Sequence, residues 1–154
     1  MSLLVEVEYP SHFLQNGLRI PFQHTQLNRP MAMASQVFGN ALVLKVVGRL
    51  DQDTCEAFRR DLAPELKTAT AGALTIVLDL SELEYVSSAG LRCFMLAAKE
   101  TKSHEGRIVV AALQPMVDEI FQISRFDLLI PVFPTLRAAL ESVSADSASA
   151  FDKR

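Results

Sequence analysis

One stretch limits the fold more than any other: residues 73–80, ALTIVLDL, form a near-continuous apolar run with β-branched residues at its centre. Such a strand is buried on both faces, because a strand with one face in water alternates apolar and polar residues. A second run, RIVVAAL at 107–113, has the same character. The two runs therefore predict the buried strands of a mostly parallel sheet that is covered on both faces.

Three more strands are predicted around these two. MAMASQVF at 31–38 and ALVLKVVG at 41–48 are separated by a Gly-Asn turn at 39–40, which is typical of an antiparallel hairpin. LLIPVF at 128–133 reads as a short strand. Because Pro131 cannot donate a backbone hydrogen bond, that strand is expected at an edge of the sheet.

Four helices are predicted to alternate with the strands. Asp53 followed three residues later by Glu56 predicts a capping box for the first helix, and Pro64 is expected to end or kink it. Pro115 begins the third helix and Thr135 caps the fourth. Apolar stripes support the first two helices: Cys55, Phe58 and Leu62 in one, and Leu91, Phe94, Met95 and Ala98 in the other. The order β-β-α-β-α-β-α-β-α predicts an α/β fold with a mixed, mostly parallel sheet of about four or five strands and about four helices.

The two ends of the chain differ from this pattern. Residues 1–30 read as an appended segment, in which LVEVEY alternates like a half-buried strand and Asn16-Gly17 favours a hairpin turn before a polar linker. The regular domain is expected over 31–143, and the polar tail 144–154 is expected to be disordered. An exposed LVEVEY strand could pair with a sheet edge of a second copy, so a homodimer is one hypothesis.

Composition excludes several classes of function. The 154 residues carry a net charge of -3, which argues against nucleic acid as the main partner, because phosphate binding needs a basic surface. No apolar run suits a membrane span and no leader is recognisable, so a cytoplasmic location without membrane insertion is predicted. Cys55 and Cys93 lie far apart in sequence without metal-ligand spacing, and are expected to be reduced. We identify no cofactor motif.

The most informative motif is the turn YVSSAGL at 85–91, which joins a buried strand to a helix. Ser88 is expected at or next to the N-cap of that helix, where a serine hydroxyl stabilises the first turn by roughly 1 kcal/mol. A nucleophile elbow requires a glycine where Val86 stands, so an esterase is disfavoured and no catalytic residue is assigned. Because helix N-termini favour anions, the turn is also suited to a phosphorylated serine. The motif by itself is compatible with both roles of Ser88, as a helix cap and as a phosphorylation site.

Three blocks of the sequence, VVGRLDQDT, VLDLSELEYVSSAGL and the stretch from 106 to 140, together resemble a STAS domain of the anti-sigma factor antagonist type. The resemblance covers about 31–143 and implies a STAS-like fold. It also implies a non-enzymatic switch: the antagonist binds an anti-sigma factor that is a serine kinase, is released when phosphorylated, and is restored by a serine phosphatase.

The family motif places the phosphorylated serine at Ser88, with Ser87 as the alternative acceptor. Ser87 stands where the family has an acid, and Ala89 where it has a second hydroxyl residue, so the local charge differs from the family pattern. The same resemblance implies a partner-binding surface from two loops, made of Gly48, Leu50, Asp51, Asp53, Thr54, Ser87, Ser88, Ala89, Gly90 and Arg92. Asp51 could instead only cap its turn. The alternative function is a STAS docking subunit of an ABC-type membrane lipid-transport complex.

Overall fold

The computed structural model describes residues 31–69 and 73–154. The part of the chain from Met31 to Arg154 makes up one compact unit. The hairpin and linker predicted for 1–30, including the LVEVEY strand, lie outside the described residues.

The described residues form a five-stranded sheet in the order β1-β2-β3-β4-β5. The strands are β1 Ala32–Phe38, β2 Ala41–Leu50, β3 Thr75–Val86, β4 Ile108–Ala111 and β5 Val132–Phe133. β1 pairs antiparallel with β2, and the other three pairings are parallel. The predicted fold class, a mixed and mostly parallel sheet with helices, is therefore confirmed.

Within the described residues, five helices and a short 3-10 turn accompany the sheet. They are α1 Cys55–Leu66, α2 Ser88–Ser103, α3 Pro115–Ile123, α4 Leu136–Val143 and α5 Ala145–Asp152, with the 3-10 turn at Phe126–Leu128. Pro115 begins α3, and the Thr135 hydroxyl caps α4 by accepting the backbone N–H of Ala138 at 3.0 Å. Both of these helix starts match the sequence.

The central strand β3 shows why the apolar run has its composition. Ile76 and Leu78 face the larger core beneath α1, α2 and α3, whereas Val77 between them faces the smaller core beneath α4 and α5. All three side chains are fully buried. Since neighbouring side chains of a strand point to opposite faces, a sheet with two covered faces needs apolar residues at consecutive positions.

The start and end of α1 differ from the prediction. Its N-cap is Thr54 rather than Asp53, so the expected capping box with Glu56 is absent. The helix does not end at Pro64 but continues to Leu66, whose side chain is buried in the core. Burial of that last side chain offsets part of the cost of a proline in the final turn.

The prediction of a disordered tail is wrong for residues 145–152, because these residues form α5. Ser144 caps this helix by accepting the backbone N–H of Ser147 at 3.1 Å, and Ser147 and Ala148 are buried. The Phe151 ring packs edge-on against Phe38, with centroids 5.5 Å apart. These tertiary contacts stabilise a helix that its polar composition did not predict.

The last strand is shorter than predicted. Residues 126–128 form a 3-10 turn instead of leading into the strand, and only Val132 and Phe133 pair with β4. The strand does lie at the edge of the sheet, next to Pro131, as the proline suggested. Phe126, the first residue of the 3-10 turn, is buried in the larger core.

Candidate functional site

The two loops singled out in the sequence meet at the carboxyl ends of β2 and β3. Leu50 and Val86, the last residues of these strands, lie opposite each other in the parallel pairing. The backbone N–H of Ser87 donates to the Leu50 carbonyl at 2.9 Å, which ties the start of α2 to the loop before α1. Loops beyond the carboxyl ends of parallel strands are the usual place for binding sites in α/β sheets.

Gly48 shapes the approach to the first loop. Its φ is +97°, a backbone conformation that side chains with a Cβ rarely adopt. The register of β2 against β3 shifts between Gly48 and Arg49. A glycine here lets the strand bend before it delivers Leu50 and Asp51 to the site.

The adjacent serines differ in what their hydroxyls contact. Ser87 is the N-cap of α2, and its Oγ accepts the backbone N–H of Gly90 at 3.3 Å. Ser88 is the first helical residue and is exposed. Within the described part of the chain, no hydrogen bond involves the Ser88 hydroxyl. Ser88 therefore lies next to the N-cap, whereas the capping role that the sequence suggested for it belongs to Ser87.

Small residues follow the serines because the first turn of α2 presses against β2. A Cβ at Gly90 would lie 2.6 Å from the Leu50 carbonyl oxygen and 2.7 Å from a methyl carbon of Val86. The Ala89 carbonyl accepts a hydrogen bond from the Cys55 thiol of α1 at 3.2 Å. The turn is thus fixed by contacts to a strand and to a second helix.

Asp51 organises the loop in which it lies. Its Oδ1 accepts the backbone N–H groups of Asp53 at 3.0 Å and Thr54 at 3.2 Å, and its Oδ2 lies 3.7 Å from the Arg49 Nε. The Arg49 guanidinium also stacks over the Tyr85 ring, 4.3 Å from its centroid. These contacts support the interpretation of Asp51 as the cap of its turn.

The Thr54 hydroxyl explains the missing cap on α1. It donates to the Arg49 carbonyl at 2.9 Å and accepts the backbone N–H of Asp51 at 3.0 Å. With the hydroxyl turned back into the loop, the first turn of α1 receives no side-chain cap. The loop is therefore held by its own hydrogen bonds.

The predicted partner residues fall into three groups by accessibility. Gly48, Leu50 and Gly90 are buried, so they shape the loops and offer no side-chain surface to a partner. Asp51, Thr54, Ser87 and Ala89 are half-buried. Asp53, Ser88 and Arg92 are exposed. The accessible surface is therefore smaller than the sequence suggested.

Three residues next to this site carry no functional signal in the sequence. Arg49 and Tyr85 are register partners at the ends of β2 and β3, and their stacked side chains border the loops. Cys55 contacts Ala89, although in the sequence it reads only as one member of an apolar helix stripe. The strand register could have indicated that Arg49 and Tyr85 lie side by side. No local signal in the sequence indicates the contact of Cys55 with Ala89.

Comparisons with known proteins agree with this architecture. The family model described as Mlab, STAS domain, matches residues 33–131. BtrV of Bordetella bronchiseptica, named as an anti-sigma factor antagonist, is 33% identical over 109 residues, which are 71% of this chain and 91% of that protein. The chain therefore belongs to the STAS domain family of anti-sigma factor antagonists, and the resemblance seen in its sequence is confirmed.

Solved structures with the same fold include an antagonist and a cell fate determinant. An anti-sigma factor antagonist from Mycobacterium paratuberculosis is similar with a TM-score of 0.66 and 22% identity, over 73% of this chain and 93% of the other. The Bacillus cell fate determinant SpoIIAA in its phosphorylated form is similar with a TM-score of 0.54 and 21% identity, over 73% of this chain and 99% of the other.

Two further features concern metal binding and membrane insertion. Across residues 31–69 and 73–154, no three His, Cys, Asp or Glu side chains are grouped as metal ligands would be. In the same ranges, no helix combines the length and the apolar character that crossing a bilayer requires.

Proposed function

We propose that this protein is a cytoplasmic anti-sigma factor antagonist that binds a serine-kinase anti-sigma factor and is switched off by phosphorylation of Ser88. The observation that carries the proposal is the difference between two neighbouring hydroxyls. The Ser87 hydroxyl caps the helix, while the Ser88 hydroxyl is exposed and engaged in no hydrogen bond with the described residues. A kinase can therefore reach Ser88 without breaking a structural contact.

The position of Ser88 suits a phosphate. At the first residue of a sixteen-residue helix, a phosphate lies near backbone N–H groups and the positive end of the helix dipole, which favours it by roughly 0.3–1 kcal/mol. The first turn of α2 contains no acidic residue that would oppose the new charge. The fold is therefore expected to persist after phosphorylation.

The effect of phosphorylation would fall on the partner surface. The phosphate adds about -1.5 to -2 charges. The exposed part of this surface is small, with Asp53 on one loop and Arg92 one helical turn beyond Ser88. A new dianion at its centre changes both the charge and the shape that a partner meets, so release of the anti-sigma factor follows. A serine phosphatase would restore binding.

The phosphorylated form of the structurally similar SpoIIAA supports this assignment by analogy of fold. The substitution of Ser87 for the usual acid introduces a competing hydroxyl. Because the Ser87 Oγ accepts the Gly90 N–H, a kinase would have to break this capping bond before it could phosphorylate Ser87. Ser88 is therefore the preferred acceptor, and no catalysis by this chain is required.

The test is phosphorylation in vitro by candidate anti-sigma kinases from the same genome. The full chain, Ser88→Ala and Ser87→Ala are each incubated with ATP, and intact mass and peptide mapping locate the phosphate. We expect one phosphate on Ser88 in the wild type and in Ser87→Ala, and none in Ser88→Ala. Binding of the kinase should weaken at least tenfold once Ser88 is modified.

Two results would contradict the proposal. Phosphate on Ser87 alone would mean that the acceptor is misassigned by one residue. A kinase that binds the protein yet leaves Ser88 unmodified would favour the alternative function, a STAS docking subunit of an ABC-type membrane lipid-transport complex, with Ser88 as an ordinary helix residue.

A further inference from the structure

Two cysteines that are distant in sequence come together directly below the serine turn. Cys55 is the first residue of α1 and Cys93 lies in α2, 38 positions later. Their Sγ atoms are 2.9 Å apart. Because a disulfide bond is about 2.05 Å long, the two sulfurs need to approach by less than about 1 Å to become bonded.

The two thiols are joined to the site by a chain of hydrogen bonds. The Cys93 thiol donates to the Cys55 sulfur, and the Cys55 thiol donates to the Ala89 carbonyl at 3.2 Å. Ala89 follows Ser88 in the first turn of α2. The pair therefore lies at the contact between α1 and α2, where it also touches the backbone beside the proposed phosphorylation site.

We propose that Cys55 and Cys93 form a reversible disulfide, a redox modification site that fastens α1 to the first turns of α2. The oxidant is a small disulfide of the glutathione type. This inference does not depend on the proposed function, because the contact between the sulfurs exists whichever partner the protein binds. Disulfides in reducing compartments are usually transient and redox-sensing, which agrees with a reversible bond.

The two cysteines have different roles in the exchange. Cys55 is half-buried and Cys93 is buried, so a small disulfide reaches Cys55 first. The pKa of the Cys93 thiol is raised well above its ordinary value, mainly by burial and secondly by the hydrogen bond to Cys55. Cys93 is therefore kept protonated. Cys55 is therefore the first nucleophile, and Cys93 closes the bond afterwards.

The steps balance as a two-electron exchange. The Cys55 thiolate attacks one sulfur of the small disulfide, which forms a mixed disulfide and releases one small thiolate. Cys93 then loses its proton and attacks the Cys55 sulfur, which releases the second small thiolate. The protein gives up two electrons and two thiol protons in total, and the small disulfide becomes two thiols.

The test uses the full chain, which contains only these two cysteines. Reduced protein is equilibrated with oxidised and reduced glutathione over a series of ratios, quenched with acid, alkylated and weighed by mass spectrometry. We expect the number of alkylatable thiols to fall from two to zero in the monomer, with a mass lower by two hydrogens. Dithiothreitol should restore both thiols.

The matched controls are Cys55→Ser and Cys93→Ser, which can form only a mixed disulfide or a dimer joined between chains. The wild type should show a higher melting temperature when oxidised, and neither variant should. A wild type that keeps glutathione on Cys55 without closing, or that keeps both thiols alkylatable at every ratio, would overturn the proposal.

A second measurement tests whether the bond reaches the serine turn. The backbone N–H groups of Gly90 and Leu91 both bond to Ser87, in the first turn of α2. Their hydrogen exchange should be at least several-fold slower in the oxidised protein. Unchanged exchange at these two amides, with the disulfide present, would overturn the claim that the bond fastens this turn.

Discussion

At the scale of single residues, the two serines of the turn can be separated by mutation. Ser87→Ala removes the oxygen that accepts the Gly90 N–H, so we expect a loss of roughly 1 kcal/mol in the free energy of unfolding. Ser88→Ala is the matched control and should change it by less than about 0.5 kcal/mol, because the side chain is exposed. Urea denaturation of both variants measures the difference. A larger loss from Ser88→Ala would mean that Ser88, not Ser87, caps the helix.

Gly90 allows a second prediction at this scale. A methyl group at this position would clash with the Leu50 carbonyl oxygen at 2.6 Å, and backbone cannot move aside as easily as a flexible side chain. We expect Gly90→Ala to destabilise the protein by roughly 1–3 kcal/mol, although alanine is the better helix former.

The control for Gly90→Ala is Arg92→Ala, an exposed position two residues further along the same helix. Thermal unfolding of the two variants should show a clearly lower midpoint for Gly90→Ala alone. Equal midpoints would indicate that α2 can shift away from β2 at little cost.

The sequence identified the serine turn but not the role of each hydroxyl. Hydrophobic spacing places the start of α2 to within about two residues, which is sufficient to bring Ser88 to the helix end. A shift of the helix start by one residue decides whether Ser87 or Ser88 is the N-cap. A difference of one residue also separates Thr54, the observed N-cap of α1, from the predicted Asp53. The exact start of α2 is set by tertiary contacts such as the hydrogen bond from the Ser87 N–H to the Leu50 carbonyl.

At the scale of elements, an exposed ion pair links α5 to α4. The Arg137 Nε and Nη2 donate to the two carboxylate oxygens of Asp152 at 3.1 and 2.9 Å, and Arg137 also pairs with Glu141. The bond from Arg137 lowers the pKa of Asp152 below its ordinary value of 3.8. The carboxylate form is therefore the one that stabilises the folded chain.

This pairing predicts a pH-dependent effect of Asp152→Asn. Because the folded pKa is depressed, the contribution is present above the unfolded value and is lost as the pH falls through the folded value. The variant should be less stable than the wild type near neutral pH, and the difference should be smaller at an acid pH below the ordinary value of 3.8. The control Glu119→Gln, exposed on α3, should show no such dependence. Urea midpoints that differ equally at both pH values would exclude the ion pair as the cause.

The elements show which signals a sequence carries. The strands and the first four helices could be predicted because apolar periodicity is local. The helix α5 could not, since Ala145–Asp152 are mostly small or polar and the contact of Phe151 with Phe38 joins opposite ends of the domain. The pairing of Cys55 with Cys93 was missed for the same reason, because it arises only when α1 and α2 pack together.

At the scale of the whole molecule, the sheet formed by the part of the chain that the structure describes separates a larger core from a smaller one. The larger core beneath α1, α2 and α3 contains an aromatic cluster made of Phe58, Phe94, Phe121 and Phe126, and the smaller core is closed by α4 and α5. The candidate site lies above the larger core, because Leu50 and Val86 at its base belong to that core. The positions of the loops are consequently tied to packing between the three helices.

Phe94 is the centre of that packing and gives the last prediction. Its ring lies 5.5 Å from Phe58 of α1, 6.0 Å from Phe121 of α3 and 6.5 Å from Phe126, measured between centroids. Phe94→Ala removes a fully buried ring from all three contacts and should cost roughly 3–5 kcal/mol.

Since a domain of this size is stable by only about 5–15 kcal/mol, Phe94→Ala is expected to unfold near physiological temperature. Phe94→Leu keeps most of the apolar volume and should cost about 1–2 kcal/mol, which leaves a folded protein for measurement. The control is Leu96→Ala, 39% exposed on the same helix, with an expected change below about 0.5 kcal/mol. If Phe94→Leu and Leu96→Ala proved equally mild in urea denaturation, the aromatic cluster would not hold the three helices together, and the loops of the site would owe their positions to the strands alone.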